Sequence, residues 1–526
     1  MNAKRIFKAA SCLLLACALM LSMCSCAFWQ KTFAKPNEYM AYVEEEAVAA
    51  AVDSFAESYD KALASYKEPK TGSAKSELRI NLGTSIMQML KSYTGVDFDW
   101  INDTTIKVDS AMSKDAAKYV VSLVLGDDTL LSLDAVADIA GNGLYLKIAE
   151  LTEKYLFIDL EKTLGVTPEG MEALNTEKII EKLPEGRELA DLIVKYIGIV
   201  FDNVNEAEKT KGSVTANGKT EECTVLEASL DEGELKVLVK AVLFELQKDE
   251  AVEKLIRTVV DIMNETAASE EEKLDADDVY ADFVREVNNL MNEIDEDDTD
   301  DDDKEMIRYT TYVNSDSEVI ARKLWAYELG EVFIGTAYEG DEFGTEIYVK
   351  EYYYEDEDLH TLFELKGEGT SKKDVVNGEY DIYVEGELVA TLAVSDLDTK
   401  ALEKGQLKGG FTVYPSAKLF ESDESGMLSL IGASLSIGAE FDCDDSKQNI
   451  KISVNSMESE LLSVNVTSEA VKGGDITVPA ESEAVSTPDA WLEGAPFGTF
   501  VENLKKSDLP KEITALLEQL VAMLSY

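Results

Sequence analysis

MIRYTTYVN (306–314), EVIARKLWAYEL (318–329), EVFIGTAYE (331–339) and TEIYVKEYYY (345–354) decide the fold of this chain. Apolar and aromatic residues alternate with polar ones in each run, and Asn, Asp and Gly fall between the runs. A period of two puts alternate side chains on opposite faces of a strand. The short breaks between runs make successive strands antiparallel neighbours. The pattern continues through HTLFELKGEG, GEYDIYVEG, ELVATLAVSD and GQLKGGFTVYP to LSLIGASLSIGAEFD, NIKISVNS and LLSVNVTSEA. Residues 306–478 therefore read as one large, curved antiparallel meander.

Upstream, residues 78–160 alternate in the same way, with turns at Gly126-Asp127-Asp128 and Gly141-Asn142-Gly143 and a short helix over 84–92. Strands over 212–217 and 221–229 flank the hairpin dipeptide Asn217-Gly218. Elsewhere the period lengthens to that of a helix. From 37 to 67 an apolar stripe runs Met40, Val43, Ala47, Ala51, Phe55, Tyr59, Leu63, Tyr66, which predicts an amphipathic helix ended by Pro69 and Gly72. Further helices are predicted over 176–205, 232–265, 275–294, 497–505 and 510–525. The fold class is α+β: large curved antiparallel sheets, half-barrel-like meanders, packed with helices in two halves.

The boundary between the halves is predicted at DEDDTDDDDKE (295–305), where like charges packed this densely make a solvated linker. No frame through it supplies the mid-loop Gly of an EF-hand, so a specific calcium loop is not expected. Residues 37–294 form the first half, 306–478 the second, and 479–526 a tail with Pro479, Pro488 and Pro496 and the C-terminal helices.

The chain opens with MNAKRIFKAASCLLLACALMLSMCSC. Lys4, Arg5 and Lys8 precede an apolar run too short to span a bilayer, the form of an export signal. Its end resembles a bacterial lipobox. Ser25-Cys26 offers a small residue before the cut, and Leu21-Ser22-Met23-Cys24 offers the usual Leu with a bulky Met at the cut. The expectation is a signal peptide over 1–25 and a lipid on Cys26, with Cys24 the alternative. A short tether over 26–36 follows, so the protein sits on the outer face of the cell membrane.

With 49 basic and 104 acidic residues the net charge is −55. Nucleic acid is a poor partner for such a surface, and an anionic bilayer repels it, so a lipid anchor supplies the membrane contact. Apart from the leader, the cysteines are Cys223 and Cys443, either one bridge or two packed thiols. No Cys/His spacing suits zinc, and neither a metal nor a cofactor is expected.

Catalytic signatures are sparse. His360 is the one histidine, and there is no nucleophile elbow, P-loop or dinucleotide turn. Ser58-Tyr59-Asp60-Lys61, Lys70-Thr71-Gly72 and Ser453-Val454-Asn455 match the three motifs of serine penicillin-binding enzymes, but in the wrong order. The strands carry Trp325, Tyr327, Tyr348, Tyr352 and Tyr354, whose alternate members share a sheet face and suggest an apolar groove.

A lipobox, a leading amphipathic helix, an antiparallel meander and a helical cap together resemble the lipid-binding lipoproteins of the LolA/LppX type. The likeness is best through helix 40–66, the hairpins of 104–160 and the helices after 176. More generally the chain is similar to uncharacterised surface lipoproteins of Gram-positive bacteria. The resemblance implies a half-barrel closed by helices around an apolar cavity. The expected function is a non-enzymatic carrier for a lipid-like ligand. The alternatives are a structural or adhesive envelope protein with a packed sheet and a patch for protein or glycan, and a hydrolase built on two carboxylates.

Overall fold

The computed structural model describes residues 35–67, 72–139, 141, 143–160, 162, 176–265, 273–296, 304–353, 358–420, 434–457, 459–473, 476–493, 495–507 and 509–524. Twenty strands, nearly all antiparallel, and eleven helices lie among them, so the α+β class holds. Cys24, Cys26, Tyr354 and most of the acidic run, for which the sequence carries expectations, lie outside the described residues. No helix among those described is long and apolar enough to cross a membrane.

The chain forms two compact units, and they do not follow the sequence halves. The first contains residues 1–67 and 176–393, the second 68–175 and 394–526. The predicted boundary at 295–305 is therefore corrected. β8 (Lys219–Asp231) and β9 (Glu305–Val313) pair antiparallel from Thr224↔Val313 to Asp231↔Glu305, so the strands before and after the acidic run belong to the same unit. Backbone hydrogen bonding across that pair outweighs a local charge argument.

In the first unit, α1 (Pro36–Lys67) packs on α4 (Gly186–Asp202), and α3 (Thr176–Lys182) lies between them in sequence. Gly186 allows the close crossing, because a Cβ there would stand 2.6 Å from the Ala56 carbonyl oxygen. Asp60 then accepts the Gly186 N–H at 2.7 Å. The buried face of α1 runs Met40, Val43, Val48, Val52, Ala56, and Phe55 is exposed. Steps of four residues overshoot a turn of 3.6, so the stripe drawn through Ala51 and Phe55 had drifted off the core side. The helix predicted over 232–265 is two, α5 (Glu232–Leu246) and α6 (Glu250–Glu265), which α7 (Ala276–Glu296) follows. Asp249 marks the break: its carboxylate takes the Ala251 N–H, the Lys195 ammonium and the Tyr196 hydroxyl.

The sheet of this unit is a meander. β7 (Glu208–Ala216) pairs with β8, and β9 pairs with β10 (Val319–Ala326). β11 (Gly330–Glu339), β12 (Glu342–Tyr353), β13 (Asp358–Lys372) and β14 (Val375–Val384) follow in turn. Asn217 and Gly218, at φ 41° and 80°, make the expected hairpin turn. One face of the sheet packs on the helices, with Leu226, Ala228 and Val313 beside Tyr39, Met40 and Ile197.

In the second unit β16 (Lys408–Pro415), β17 (Leu435–Cys443), β18 (Lys447–Ser456) and β19 (Ser459–Val471) form one run of antiparallel neighbours. β19 pairs with β1 (Gly72–Leu82), which continues through β2 (Thr104–Met112), β3 (Ala116–Leu125), β4 (Asp128–Asp138), β5 (Gly143–Ile148) and β6 (Tyr155–Asp159). The two-residue strand β20 (Ala484–Val485) adds to β6 in parallel. β15 (Glu387–Asp398), in which the division between units falls, precedes α8 (Thr399–Glu403). The helices of this unit are α2 (Thr84–Thr94), α8, α9 (Pro488–Leu492), α10 (Phe497–Lys506) and α11 (Lys511–Leu524).

Candidate functional site

Strand register assembles the site. On the face of the first unit's sheet turned from the helices, Ser229, Arg308, Trp325, Glu331 and Lys350 are neighbours across β8 to β12. One step along, Glu227, Thr310, Lys323, Phe333, Tyr348, Glu364 and Tyr383 form a second row that reaches β14. Rings and charges thus alternate in both directions.

The two ends of this face differ. At one end the β7–β8 hairpin lies over it. Gly344 makes room, since a Cβ would meet the Ala216 carbonyl oxygen at 2.1 Å. Val214, Ala216, Ala321, Phe333 and Ala337 are buried there with Tyr312 and Tyr348 packed against them. Asn217 secures the hairpin by donating to Glu346 at 3.2 Å and to the Gly367 carbonyl at 2.9 Å. That interior is filled by its own side chains.

At the other end the side chains are half-buried and charged. The Tyr348 hydroxyl donates to Glu331 at 2.7 Å, and the Lys323 ammonium stands 2.8 Å from the other Glu331 oxygen. Lys350 sits 4.1 Å from the Tyr348 ring centre. Arg308 grips Glu305 through two bonds of 2.9 and 2.6 Å and lies 5.7 Å from the Trp325 ring centre. Tyr327 and Trp325 are T-shaped with ring centres 6.5 Å apart, and the Lys304 ammonium stands 3.5 Å from the Tyr327 ring centre. Lys366 continues the pattern with Glu364 at 2.9 Å.

Burial would raise the Glu331 pKa, but hydrogen bonds from Lys323 and Tyr348 outweigh it and hold the carboxyl below its usual value. Burial, and then the bond to Glu331, push the Tyr348 hydroxyl far above the ordinary phenol. A depressed carboxyl stabilises the fold above its unfolded pKa, about 4.3, and that contribution is lost as pH falls through the folded value. Tyr348→Phe removes one cause of the depression. Urea midpoints measured from pH 3 to 7 should therefore depend less steeply on pH in the variant. An unchanged slope would show that the Tyr348 bond does not tune Glu331.

Of the aromatics expected to line a groove, Trp325, Tyr327 and Tyr348 gather on this face. Tyr352 is half-buried near the end of β12, its N–H bonded to the Leu329 carbonyl, and Tyr354 is outside the described residues. The face is not the apolar wall the rings suggested. Arg308, Lys323, Glu331 and Lys350 were missed, although strict alternation through 323/325, 331/333 and 348/350 sets each beside a ring. His360 lies in β13, its ring 5.0 Å from Tyr353. Cys223 and Cys443 are free thiols in different units, which sets the bridge aside. Burial and Glu221 push the Cys223 thiol up, so it packs as a neutral group. Ser58 lies in α1 and Ser453 in β18. Among the described residues no cluster of His, Cys, Asp or Glu is arranged to hold a metal.

The fold and this face define an α+β protein with an aromatic and charged sheet surface. No protein family, curated protein or solved structure matches the chain.

Proposed function

We propose that this is an exported, lipid-tethered binding protein of the outer membrane face, not an enzyme, and that its first unit holds a glycan. The observation that carries the reading is the alternation of rings with ion pairs at the open end of the sheet, Trp325 between Arg308 and Glu331 above all. A pyranose offers one face of C–H bonds to an aromatic ring and a rim of hydroxyls to charged hydrogen-bonding groups. Few precisely placed polar groups beside rings are what orient such a ligand. The net charge of −55 favours neutral or amino sugars over acidic polysaccharide.

The lipid-carrier reading rests on the same rings. It is less favoured, because an acyl chain would leave the Lys323–Glu331 pair desolvated without replacing its hydrogen bonds. One experiment separates the two. Purified protein is tested for retention on cell-wall polysaccharide and neutral oligosaccharides, and an organic extract of it is examined by mass spectrometry. Trp325→Ala should weaken glycan binding at least about tenfold, the scale of losing an aromatic anchor. A stoichiometric lipid in the extract, with no glycan retained, would replace this reading by the carrier.

A further inference from the structure

We infer that a cleft in the second unit is a binding site for small organic cations with an apolar body, separate from the glycan face. The cleft has a volume of about 430 Å³. Its floor is aromatic. Tyr145 on β5 pairs with Phe157 on β6, and the two rings sit 5.0 Å apart at 48°. Its opposite wall is the segment after Ala480. β20 adds to β6 through Ala484↔Tyr155 and Val485↔Leu156, which places Val485, Ser486 and Thr487 over the rings. The wall is pinned beyond the cleft by the Trp491 indole, which donates to the Lys154 carbonyl at 3.0 Å.

The charged residue on the cleft's lining is acidic, and Lys147, on the same sheet face as Tyr145, stands over the neighbouring Tyr155 ring at 5.5 Å. Glu481 stands on its lining and is exposed. Among the described residues it has no basic partner. Asp138 lies on the same sheet face as Tyr145, because Val136 is directly opposite Tyr145 and Asp138 two residues on. Burial first, then Asp138 and Glu481, push the Tyr145 hydroxyl above its usual pKa, so the floor stays a neutral ring. An electron-rich face beside uncompensated carboxylates attracts an ammonium through the ring quadrupole and Coulomb's law together. The apolar floor excludes a bare metal ion as the preferred occupant and favours a cation that carries its own hydrocarbon. The volume accommodates a phenylalkylamine or a choline-sized quaternary ammonium.

The test uses the whole chain, titrated calorimetrically with phenethylammonium and with its neutral counterpart phenethyl alcohol. The cation should bind at least about tenfold more tightly than the alcohol, the scale of a desolvated cation–ring contact. Glu481→Gln, an exposed change, should remove most of that preference. Phe157→Leu should weaken the cation more than the alcohol, because only the cation loses the attraction of the ring quadrupole. Glu403→Gln, an exposed carboxylate in α8, should change neither and so measures the general pull of an acidic protein. Equal affinities for cation and alcohol, or a preference that survives Glu481→Gln, would overturn the inference.

Discussion

Glu44→Ala is expected to destabilise the first unit by about 3–5 kcal/mol, the usual cost of leaving one member of a buried ion pair alone. Glu44 is wholly inaccessible on α1, and Arg322 on β10 is 7% exposed. Their Nε–Oε2 distance is 3.0 Å, and the other Glu44 oxygen accepts from Tyr309 at 2.9 Å and from Thr311 at 2.6 Å. Burial works against the Arg322 charge, but Glu44 and Tyr309 outweigh it and hold its pKa up. Removing the carboxylate strips three donors of their acceptor at once, in a place water does not reach. Arg322 is already stretched, since its Nη2 is buried without a hydrogen-bond partner.

The measurement is hydrogen exchange, because two compact units need not unfold in one step. Amides of α1, β9 and β10 should lose protection in Glu44→Ala, while those of β16 to β19 keep theirs. The double variant Glu44→Leu/Arg322→Met should recover most of the loss, since an apolar pair of similar volume removes the uncompensated charge. If Glu44→Ala exchanges like the parent, the network does not hold α1 to the sheet. Tyr309 adds a pH signature. Its hydroxyl is raised well above 10, first by burial and then by Glu44, so the unfolded chain releases that proton earlier than the folded one. Stability present below about pH 10 is then lost as pH rises above it. Tyr309→Phe should flatten this alkaline limb.

None of that network is visible in the sequence, although every strand that builds it is. Glu44 sits among Glu45 and Glu46 and reads as one more solvated acid. Periodicity tells which side chains share a face; it does not tell which element covers that face. The same gap explains the units. The hydroxyls of Ser76 and Ser468 meet at 2.9 Å across 392 residues, a pairing no local pattern encodes. Where a signal was local it was sufficient, as with the Asn217-Gly218 turn and the helix at α2. The aromatic face was half legible: its rings were conspicuous, but Lys323, Glu331 and Lys350 looked like ordinary outward positions until register stacked them strand by strand. Alternation had assigned polar residues to solvent by default, and a sheet that curls over its own face breaks that default.

Cys26→Ala is expected to have the largest effect in the cell: loss of the protein from the membrane fraction. In the proposed reading Lys4, Arg5 and Lys8 and the apolar run to Met23 form the export signal, so the variant should still be exported. What it lacks is the thiol proposed to take the lipid. One acyl chain binds a bilayer only marginally, at about 10⁴ M⁻¹, and a diacylated cysteine crosses the threshold for stable anchoring. Electrostatics cannot compensate, because the chain's net charge of −55 is repelled by anionic headgroups. The proposed anchoring is therefore expected to be all or none at this one atom. Metabolic labelling with an alkyne fatty acid, followed by fractionation, reads both quantities. The parent and Cys24→Ala should label and sediment with membranes, and Cys26→Ala should do neither. Label that survives Cys26→Ala and disappears in Cys24→Ala would move the anchor two residues upstream. Label absent from the parent would remove the tether, and with it the proposal that a glycan is met at the membrane surface.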